Sequence, residues 1–377
     1  MVNDVDVLDP DQPLSEAFRG AVSEQLSTFL DRQAVVLETM GPELGAVQAM
    51  AGRLLAGGKR VRPGFCVWGY VAAAGLPDQH GLDPLLRAAA SLDLLHVSAL
   101  VHDDVMDASD LRRGQPAAHL QFETQHTGAG WLGDPAAFGR AGAILLGDLL
   151  LMWSTELLQR AGWPPAALAR ALPIAEAMRT EVTCGQFLDI TAQAQPLAST
   201  GAAESQIQRA LDEASRVVEY KSARYTVQRP CQIGAALGGA DERLHLALGA
   251  YGSPLGRAFQ FRDDLLGVFG DTEVTGKPAG DDLREGKRTV LIAQAFARAD
   301  PAGRQLLAAR LGDPELDAAG VDALRQLLVE TGASDAVEQM ISQGHDEALA
   351  ALATAEVSDA GRVGLTALAE AVVRREF

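Results

Sequence analysis

Residues 82–107, LDPLLRAAASLDLLHVSALVHDDVMD, decide the fold class, because apolar residues recur through them at helical spacing up to an acidic end. Asp103 and Asp107 close this stretch four residues apart, so both carboxylates lie on one face of the predicted helix. Two like charges one turn apart repel each other unless a cation lies between them. Carboxylate oxygens suit Mg²⁺, which shares its coordination shell with phosphates. A solvated acidic helix end is the alternative for a single cluster of this kind.

The same helical periodicity extends over most of the chain, without a convincing alternating strand pattern. Further helical stretches cover 141–160, 165–192, 206–238 and 242–269. The core must consist mostly of Leu, Ala and Val, since hydrophobic residues make up 47% of the 377 positions and aromatic residues only 5%. We therefore predict an all-α protein with a disordered tail over 1–12 and a single domain over 13–377.

Composition also restricts the partners and the compartment. A formal net charge of −18 repels nucleic acid and acidic membranes, so an anionic ligand needs a local basic cluster or a bridging metal ion. Cys66, Cys184 and Cys231 form no CxxC pair, which predicts a cytoplasmic location without disulfides. The acidic N-terminus lacks the apolar region of a signal peptide, and no stretch approaches ~20 uninterrupted apolar residues, so we expect no stable membrane insertion.

A second acidic pair, Asp263 and Asp264, also follows a strongly apolar stretch. Charges inside such a helix are costly unless they are paired or bind a metal. A salt bridge to Arg262 or Arg257 is one explanation, and metal binding is the other. Two acidic pairs that each end an apolar helix are harder to explain as solvated surface than one pair, which favours metal binding.

Only four of the 32 basic residues are lysines, and each lies in a motif-like context. These contexts are GGKRVRP (57–63), YKSARYT (220–226), TGKP (275–278) and EGKRT (285–289), which hold Lys59, Lys221, Lys277 and Lys287. A lysine ammonium is a compact point charge that suits phosphate oxygens, and the adjacent Arg112 and Arg113 suit bidentate phosphate recognition. A coding bias towards arginine is the alternative, and it would still single out these four lysines.

In this order and combination, the motifs resemble the trans-isoprenyl diphosphate synthase, or polyprenyl synthetase, family over about residues 57–290. The set consists of GGKRVRP, HDDVMD followed by RRG, GDLLL (147–151), GQFLD (185–189), YKSARYT, FQFRDD (259–264) and GKPAGDDLREGKRT (276–289). The similarity is nearest to bacterial geranylgeranyl-type members, especially at YKSARYT. The resemblance implies the isoprenoid synthase fold, an antiparallel helical bundle around a central cavity, in a protein that is usually a homodimer.

The resemblance also implies the reaction and its ligands. An allylic diphosphate (dimethylallyl, geranyl or farnesyl) ionises to a carbocation, isopentenyl diphosphate attacks it, and a proton is lost to the departing diphosphate. About three Mg²⁺ ions would be held by Asp103 and Asp107 on one wall of the cavity and by Asp263, with Asp264, on the other. Asp104 would act within the first acidic cluster. The allylic diphosphate would be bound by Arg112, Lys221, Lys277 and Lys287, and isopentenyl diphosphate by Lys59, Arg62, His96 and Arg113. The resemblance further implies that Gln260 and the Ser222 backbone stabilise the carbocation.

The second cluster departs from the DDxxD pattern of the first, because its fifth position is Gly267. Asp271 lies two turns beyond Asp263, ~12 Å away at a rise of 1.5 Å per residue, which makes it a poor substitute ligand. Asp263 is therefore expected to be the main ligand of this cluster.

Product length should depend on the residues one turn before Asp103. Ser98 and Ala99 are both small and should form the floor beneath the first prenyl units, while Leu95 could close the pocket deeper. These residues predict a product longer than C15, with C20 (geranylgeranyl diphosphate) as the best match. Ordinary packing of small residues on a crowded helix is the alternative.

Three other functions compete with this interpretation. An all-helical metal phosphohydrolase could use His102 and Asp103 with His80 or His96, but it leaves the second acidic pair and the lysines unexplained. A non-catalytic partner subunit of a prenyltransferase commonly loses acidic or arginine residues of the first cluster, and all of them are present here. A terpene cyclase would share the metal chemistry but would not need GGKRVRP for a second diphosphate.

Overall fold

The computed structural model describes residues 7–196, 204–270, 280–313 and 315–374, and it confirms the all-α class. The first part of the chain contains α1 (Glu16–Glu38), a 3₁₀ turn (Pro42–Leu44), α2 (Gly45–Leu55), α3 (Val61–Ala74), α4 (Gln79–Met106), β1 (Leu111–Arg112), β2 (Gln115–Pro116), α5 (Ala118–Gly128), α6 (Pro135–Gln159) and α7 (Pro165–Ala194). The second part contains α8 (Glu204–Val217), a π-helix (Val218–Gln228), α9 (Arg229–Leu237), α10 (Glu242–Phe269), α11 (Asp281–Arg284), α12 (Val290–Arg298), α13 (Pro301–Arg310), α14 (Ala318–Glu330), α15 (Ala333–Thr354) and α16 (Asp359–Val373).

Short polar side chains fix where many of these helices begin. The side chains of Ser15, Asp78, Asp134, Thr289, Asp300 and Asp317 each accept a hydrogen bond from a backbone N–H two or three residues further on. Such caps satisfy an N–H that would otherwise have no partner at a helix start, and each stabilises its helix by about 1 kcal/mol.

The chain divides into two compact units. Unit one comprises Met1–Leu172, Pro230–Asp241 and Val357–Leu368, and unit two comprises Pro173–Arg229, Glu242–Glu356 and Ala369–Phe377. In unit one, α4 packs against α6 around side chains such as Leu94, Leu146 and Leu150. In unit two, α10 packs against α15 and the π-helix, with Phe261 and Leu265 in its core. A single domain over 13–377 stays a prediction.

The expected disordered tail lies only partly within the described residues. Residues 1–6 lie outside them, whereas residues 7–12 form turns in which the side chain of Leu8 is buried. The amide of Gln12 donates to the carbonyl of Asp9, and the indole of Trp68 donates to the carbonyl of Pro13. The described part of this segment therefore packs on unit one.

Two helices are long and apolar enough to cross a membrane by length and composition alone. The most apolar window of Gln79–Met106 is 72% buried inside the protein, as expected of a core helix, whereas that of Pro135–Gln159 is 44% buried. Helix α6 therefore presents part of its apolar surface outward, and the absence of membrane insertion stays a prediction.

Candidate active site

The first acidic cluster forms the C-terminal turn of α4. Asp103 and Asp107 are both half-buried, and the amide of Asp107 donates to the carbonyl of Asp103 over 2.8 Å. Asp104 points away from this pair and is buried, where its carboxylate accepts hydrogen bonds from Nε of Arg112 at 2.9 and 3.2 Å and from Nη2 as well. Because two nitrogens of the Arg112 guanidinium donate to one carboxylate, Asp104 fixes the orientation of Arg112.

A two-residue hairpin places the arginine pair directly after this cluster. Strands β1 and β2 pair through Leu111 with Pro116 and Arg112 with Gln115, and the turn residues Arg113 and Gly114 have φ of 52° and 72°. Positive φ at both turn positions is the geometry that suits the twist of a short hairpin. Strands of two residues carry no alternating pattern, so the sequence does not predict this hairpin.

The hairpin reaches the glycine-rich loop before α3. A Cβ built on Gly58 would lie 3.5 Å from Nη2 of Arg113, so the RRG and GGKRVRP motifs lie side by side. Arg60, at φ 54°, is buried and donates from Nη1 to Asp93 at 2.7 Å and from Nη2 to the carbonyl of Leu55 at 2.8 Å. Burial raises the pKa of Asp93, and the charge of Arg60 opposes that rise. This buried pair holds the loop that carries exposed Lys59 and the first turn of α3, which carries half-buried Arg62.

His96 lies within reach of the same arginines. Burial lowers its pKa well below the ordinary value, and the charges of Arg62, Arg113, Arg112 and Arg60 lower it further. The imidazole is therefore neutral in a cluster of positive charge. Such a cluster fits a diphosphate, because an anion bound there would offset the repulsion among the guanidinium groups.

The predicted chain-length residues point in different directions. Ser98 is only 2% exposed, and its hydroxyl donates to the carbonyl of Gly147 on α6 over 2.7 Å. Ala99 is half-buried, and Leu95 is buried one turn earlier. Ser98 is therefore engaged in the contact between α4 and α6, while Ala99 keeps accessible surface one turn before Asp103.

The second acidic cluster lies near the end of α10. Asp263 is half-buried, whereas Asp264 is only 4% exposed and accepts a hydrogen bond from Nε2 of Gln260 at 2.8 Å. Burial raises the pKa of Asp264 to about 8, partly opposed by that hydrogen bond and supported by the charges of Asp282 and Asp263. Among the described residues, Oδ2 of Asp264 has no hydrogen-bond partner.

The nearby arginines have carboxylate partners on other helices. The guanidinium of Arg262 donates to Glu338 at 2.6 and 2.8 Å, and that of Arg257 donates to Glu219 at 3.3 Å. These contacts give no support to the salt-bridge alternative for the second acidic pair.

The YKSARYT motif forms the π-helix. Nζ of Lys221 lies 2.6 Å from Oδ2 of the buried Asp189, the last residue of GQFLD. Two glycines admit this backbone: a Cβ on Gly185 of α7 would lie 2.6 Å from the carbonyl carbon of Tyr220, and one on Gly256 of α10 would lie 2.6 Å from Cα of Ala223. Single π-turns inside helices are often functional, because they displace backbone groups from the regular ladder.

The remaining predicted lysines have different outcomes. Nζ of Lys287 lies 2.6 Å from Glu285 and 3.3 Å from Asp282. Lys277 and Asp271 lie outside the described residues.

The acidic pairs fit Mg²⁺ better than a preformed metal cage. Within the described ranges, no three His, Cys, Asp or Glu side chains are grouped so as to hold a metal ion by themselves. Mg²⁺ is usually bound by one or two carboxylates together with substrate phosphates, which matches Asp103 with Asp107 and the open Oδ2 of Asp264. The phosphohydrolase alternative gains no support, because Nε2 of His102 contacts the carbonyl of Ile144 at 3.2 Å and His80 is exposed.

The sequence did not predict the residues that hold the functional cations in place. Asp104 and Asp189 hold the predicted functional residues Arg112 and Lys221. Asp93 holds Arg60, the neighbour of Lys59, and Arg60 in turn holds the glycine-rich loop. The available signal was a charged residue within an apolar helical stretch, as at Asp93, but its partner could not be inferred from spacing.

An all-α chain whose helices end in aspartate pairs beside lysine and arginine loops belongs to the isoprenoid synthase class. A family model described as polyprenyl synthetase matches residues 45–328, and the chain belongs to this family. It is therefore a prenyltransferase.

Relatives with named activities cover most of the chain. It is 31% identical to the geranylgeranyl diphosphate synthase of Methanosarcina mazei over 285 residues, 76% of each chain. It is 35% identical to the (2E,6E)-farnesyl diphosphate synthase of Mycobacterium tuberculosis over 296 residues, 77% of this chain and 73% of that one. A crystal structure of geranylgeranyl pyrophosphate synthase from Corynebacterium glutamicum, complexed with isoprenyl diphosphate and magnesium, is 39% identical with a TM-score of 0.89, covering 98% of this chain and 100% of that one.

Replacing Lys221 by Met should separate its structural contribution from its contribution to turnover. Lys221→Met leaves buried Asp189 without this partner, so the free energy of unfolding should fall by about 3–5 kcal/mol. The double variant Lys221→Met with Asp189→Leu should recover stability to within about 1 kcal/mol, yet form product at least ~100-fold more slowly. Denaturant unfolding and product formation are measured on the same preparations. Recovery of both quantities in the double variant would limit Lys221 to a structural role.

Proposed function

We propose that this protein condenses isopentenyl diphosphate with an allylic diphosphate, in a Mg²⁺-dependent reaction, to give geranylgeranyl diphosphate. The observation that carries the proposal is that α4 bears residues of two different anion sites. His96, within the arginine cluster, and Asp103, within the acidic pair, lie seven residues and therefore ~10 Å apart on this helix. One anion site built from cations and another that needs a metal ion suit two diphosphate substrates. A hydrolase or a cyclase needs only one.

The two diphosphates are assigned to these sites by their chemistry. Isopentenyl diphosphate occupies the cluster of Lys59, Arg62, His96 and Arg113, where arginine forks and a lysine neutralise it without metal. The allylic diphosphate is assigned to the acidic pairs, where Asp103, Asp107 and Asp263, with Asp264, would hold about three Mg²⁺ ions. Arg112, Lys221, Lys277 and Lys287 would add positive charge there.

The groups around the allylic site then account for the reaction. Bound Mg²⁺ would neutralise charge on the leaving diphosphate, and Arg112 and Lys221 are held by their anchors to do the same. Donation from Gln260 to Asp264 fixes the side-chain amide, which leaves its carbonyl oxygen to face an allylic carbocation. The π-helix backbone at Ser222 supplies further carbonyl dipoles. The departing diphosphate takes the proton, so no basic side chain is required.

Subunit association and compartment belong to the same proposal. Helix α6 exposes Ala141, Ile144, Leu145 and Met152 at helical spacing, with Leu145 68% exposed. Asp148 is exposed on the same face, so this stripe is largely but not wholly apolar. Such a surface suits an interface with a second copy of the chain, which makes a homodimer the proposed state. The three cysteines are all unpaired, which suits a cytoplasmic location.

The function is tested with purified protein, Mg²⁺, labelled isopentenyl diphosphate and each allylic primer. The expected result is a C20 product, its loss on chelation, and a rate about 10²–10³-fold lower for Asp103→Asn, because that change removes a metal-binding charge. Asp83→Asn, an exposed position on the same helix, is the matched control and should retain the rate. Phosphate release without prenyl transfer would instead support a phosphohydrolase.

A bulky substitution at Ala99 should shorten the product, whereas the same substitution at Ser98 should lower the stability of the protein. Ala99→Phe should shift the products to C15 or shorter, because the ring projects from the accessible side of α4. Ser98→Phe should instead lower the melting temperature, since overpacking the α4–α6 contact costs about 1–3 kcal/mol. Chromatography of the products and thermal unfolding distinguish the two effects. An unchanged C20 product from Ala99→Phe would contradict the assignment.

Association through α6 is tested at its most exposed position. Leu145→Asp should convert the protein from dimer to monomer, because it places a charge within the apolar stripe. Leu246→Asp is the matched control, since Leu246 is 69% exposed on α10. Light scattering after size-exclusion chromatography gives the mass of each variant. A monomeric parent protein, or a dimeric Leu145→Asp variant, would refute the proposed interface.

A further inference from the structure

The two acidic clusters of this chain differ at one position. The first reads DDVMD and the second reads DDLLG, so α10 presents Gly267 where α4 presents Asp107. Position 267 lies one turn beyond Asp263, on the same face of the helix. The second cluster consequently lacks a carboxylate of its own at this place.

Another carboxylate occupies the vacant space. A Cβ built on Gly267 would collide with Oδ2 of Asp282 and would lie 2.8 Å from its Cγ. The carboxylate of Asp282 therefore lies against α10 where a side chain at position 267 would begin. Asp282 belongs to α11, the short helix within GKPAGDDLREGKRT.

Asp282 is held in place beside α10. Its carbonyl accepts the amide of Lys287 at 3.1 Å, and its carboxylate lies 3.3 Å from Nζ of the same lysine. Asp264 is 96% removed from solvent, and its Oδ2 has no partner among the described atoms. Two nearby carboxylates and a buried, open oxygen favour a cation at this position.

We propose that Asp282 is the third carboxylate of the second acidic cluster, supplied by α11 in place of the residue that α10 lacks, and that it contacts the divalent cation of Asp263 directly or through a water molecule. This inference rests on the proposed metal dependence. Gly267 is then required, because a side chain there would expel the carboxylate that substitutes for it.

The test compares single variants with a transplanted carboxylate. Mn²⁺ is titrated in the presence of inorganic diphosphate and followed by electron paramagnetic resonance, with folding checked by circular dichroism. Asp282→Ala should weaken Mn²⁺ binding about 10–100-fold, as outer-shell and ligand losses do. Gly267→Asp in the Asp282→Ala background should restore binding to within about threefold. Asp281→Ala, the neighbouring residue of α11, is the matched control and should bind Mn²⁺ as the parent does.

A purely structural role for Asp282, through Lys287, gives different results. In that case Asp282→Ala would add nothing in the Lys287→Met background, whatever binding that background has already lost through the lysine itself. We expect Asp282→Ala to weaken Mn²⁺ binding in that background as well. Parental Mn²⁺ affinity in Asp282→Ala, or no restoration by Gly267→Asp, overturns this inference while prenyl transfer by the parent protein still stands. A parent protein that neither binds Mn²⁺ nor transfers prenyl groups overturns both.

Discussion

Electrostatic repulsion is the constraint that shapes this protein. With a net charge of −18, the chain can retain an anionic substrate only where local cations or metal ions outweigh the surrounding field. Four of the cations in these motifs are held by a carboxylate: Arg60 by Asp93, Arg112 by Asp104, Lys221 by Asp189 and Lys287 by Glu285. Each anchor cancels part of the charge that it orients. Orientation is therefore favoured over raw positive charge, which suits a site that must stabilise charge as it develops.

Close backbone approach is the second requirement. The π-helix lies against Gly185 on one side and Gly256 on the other, where any side chain would meet backbone atoms. Arg60 and Arg113 adopt left-handed conformations that cost a non-glycine residue about 1–2 kcal/mol. Both belong to the basic cluster, so this backbone strain is located where arginine side chains must converge.

The sequence predicted the helical class and the motifs because periodicity and spacing are local properties. Asp103 with Asp107 on one face of α4, and Lys59 in an exposed glycine-rich loop, follow directly from such patterns. The anchors could not be predicted, since Asp93 and Arg60 are 33 residues apart and nothing in their spacing pairs them. Ser98 and Ala99 looked equivalent in sequence, yet a rotation of 100° about the helix axis turns one towards α6 and leaves the other accessible. The hairpin at Arg113 could not be predicted, because two-residue strands carry no alternating pattern.

Gly147 has a consequence for how the sequence can diverge. A Cβ at this position would lie 2.7 Å from Cε1 of His102, while the Gly147 carbonyl accepts the hydroxyl of Ser98. Gly147 on α6 is therefore in close contact with two successive turns of α4, at Ser98 and at His102. A lineage that acquires a side chain at 147 must therefore also move or replace the imidazole of His102, so positions 102 and 147 are expected to change together.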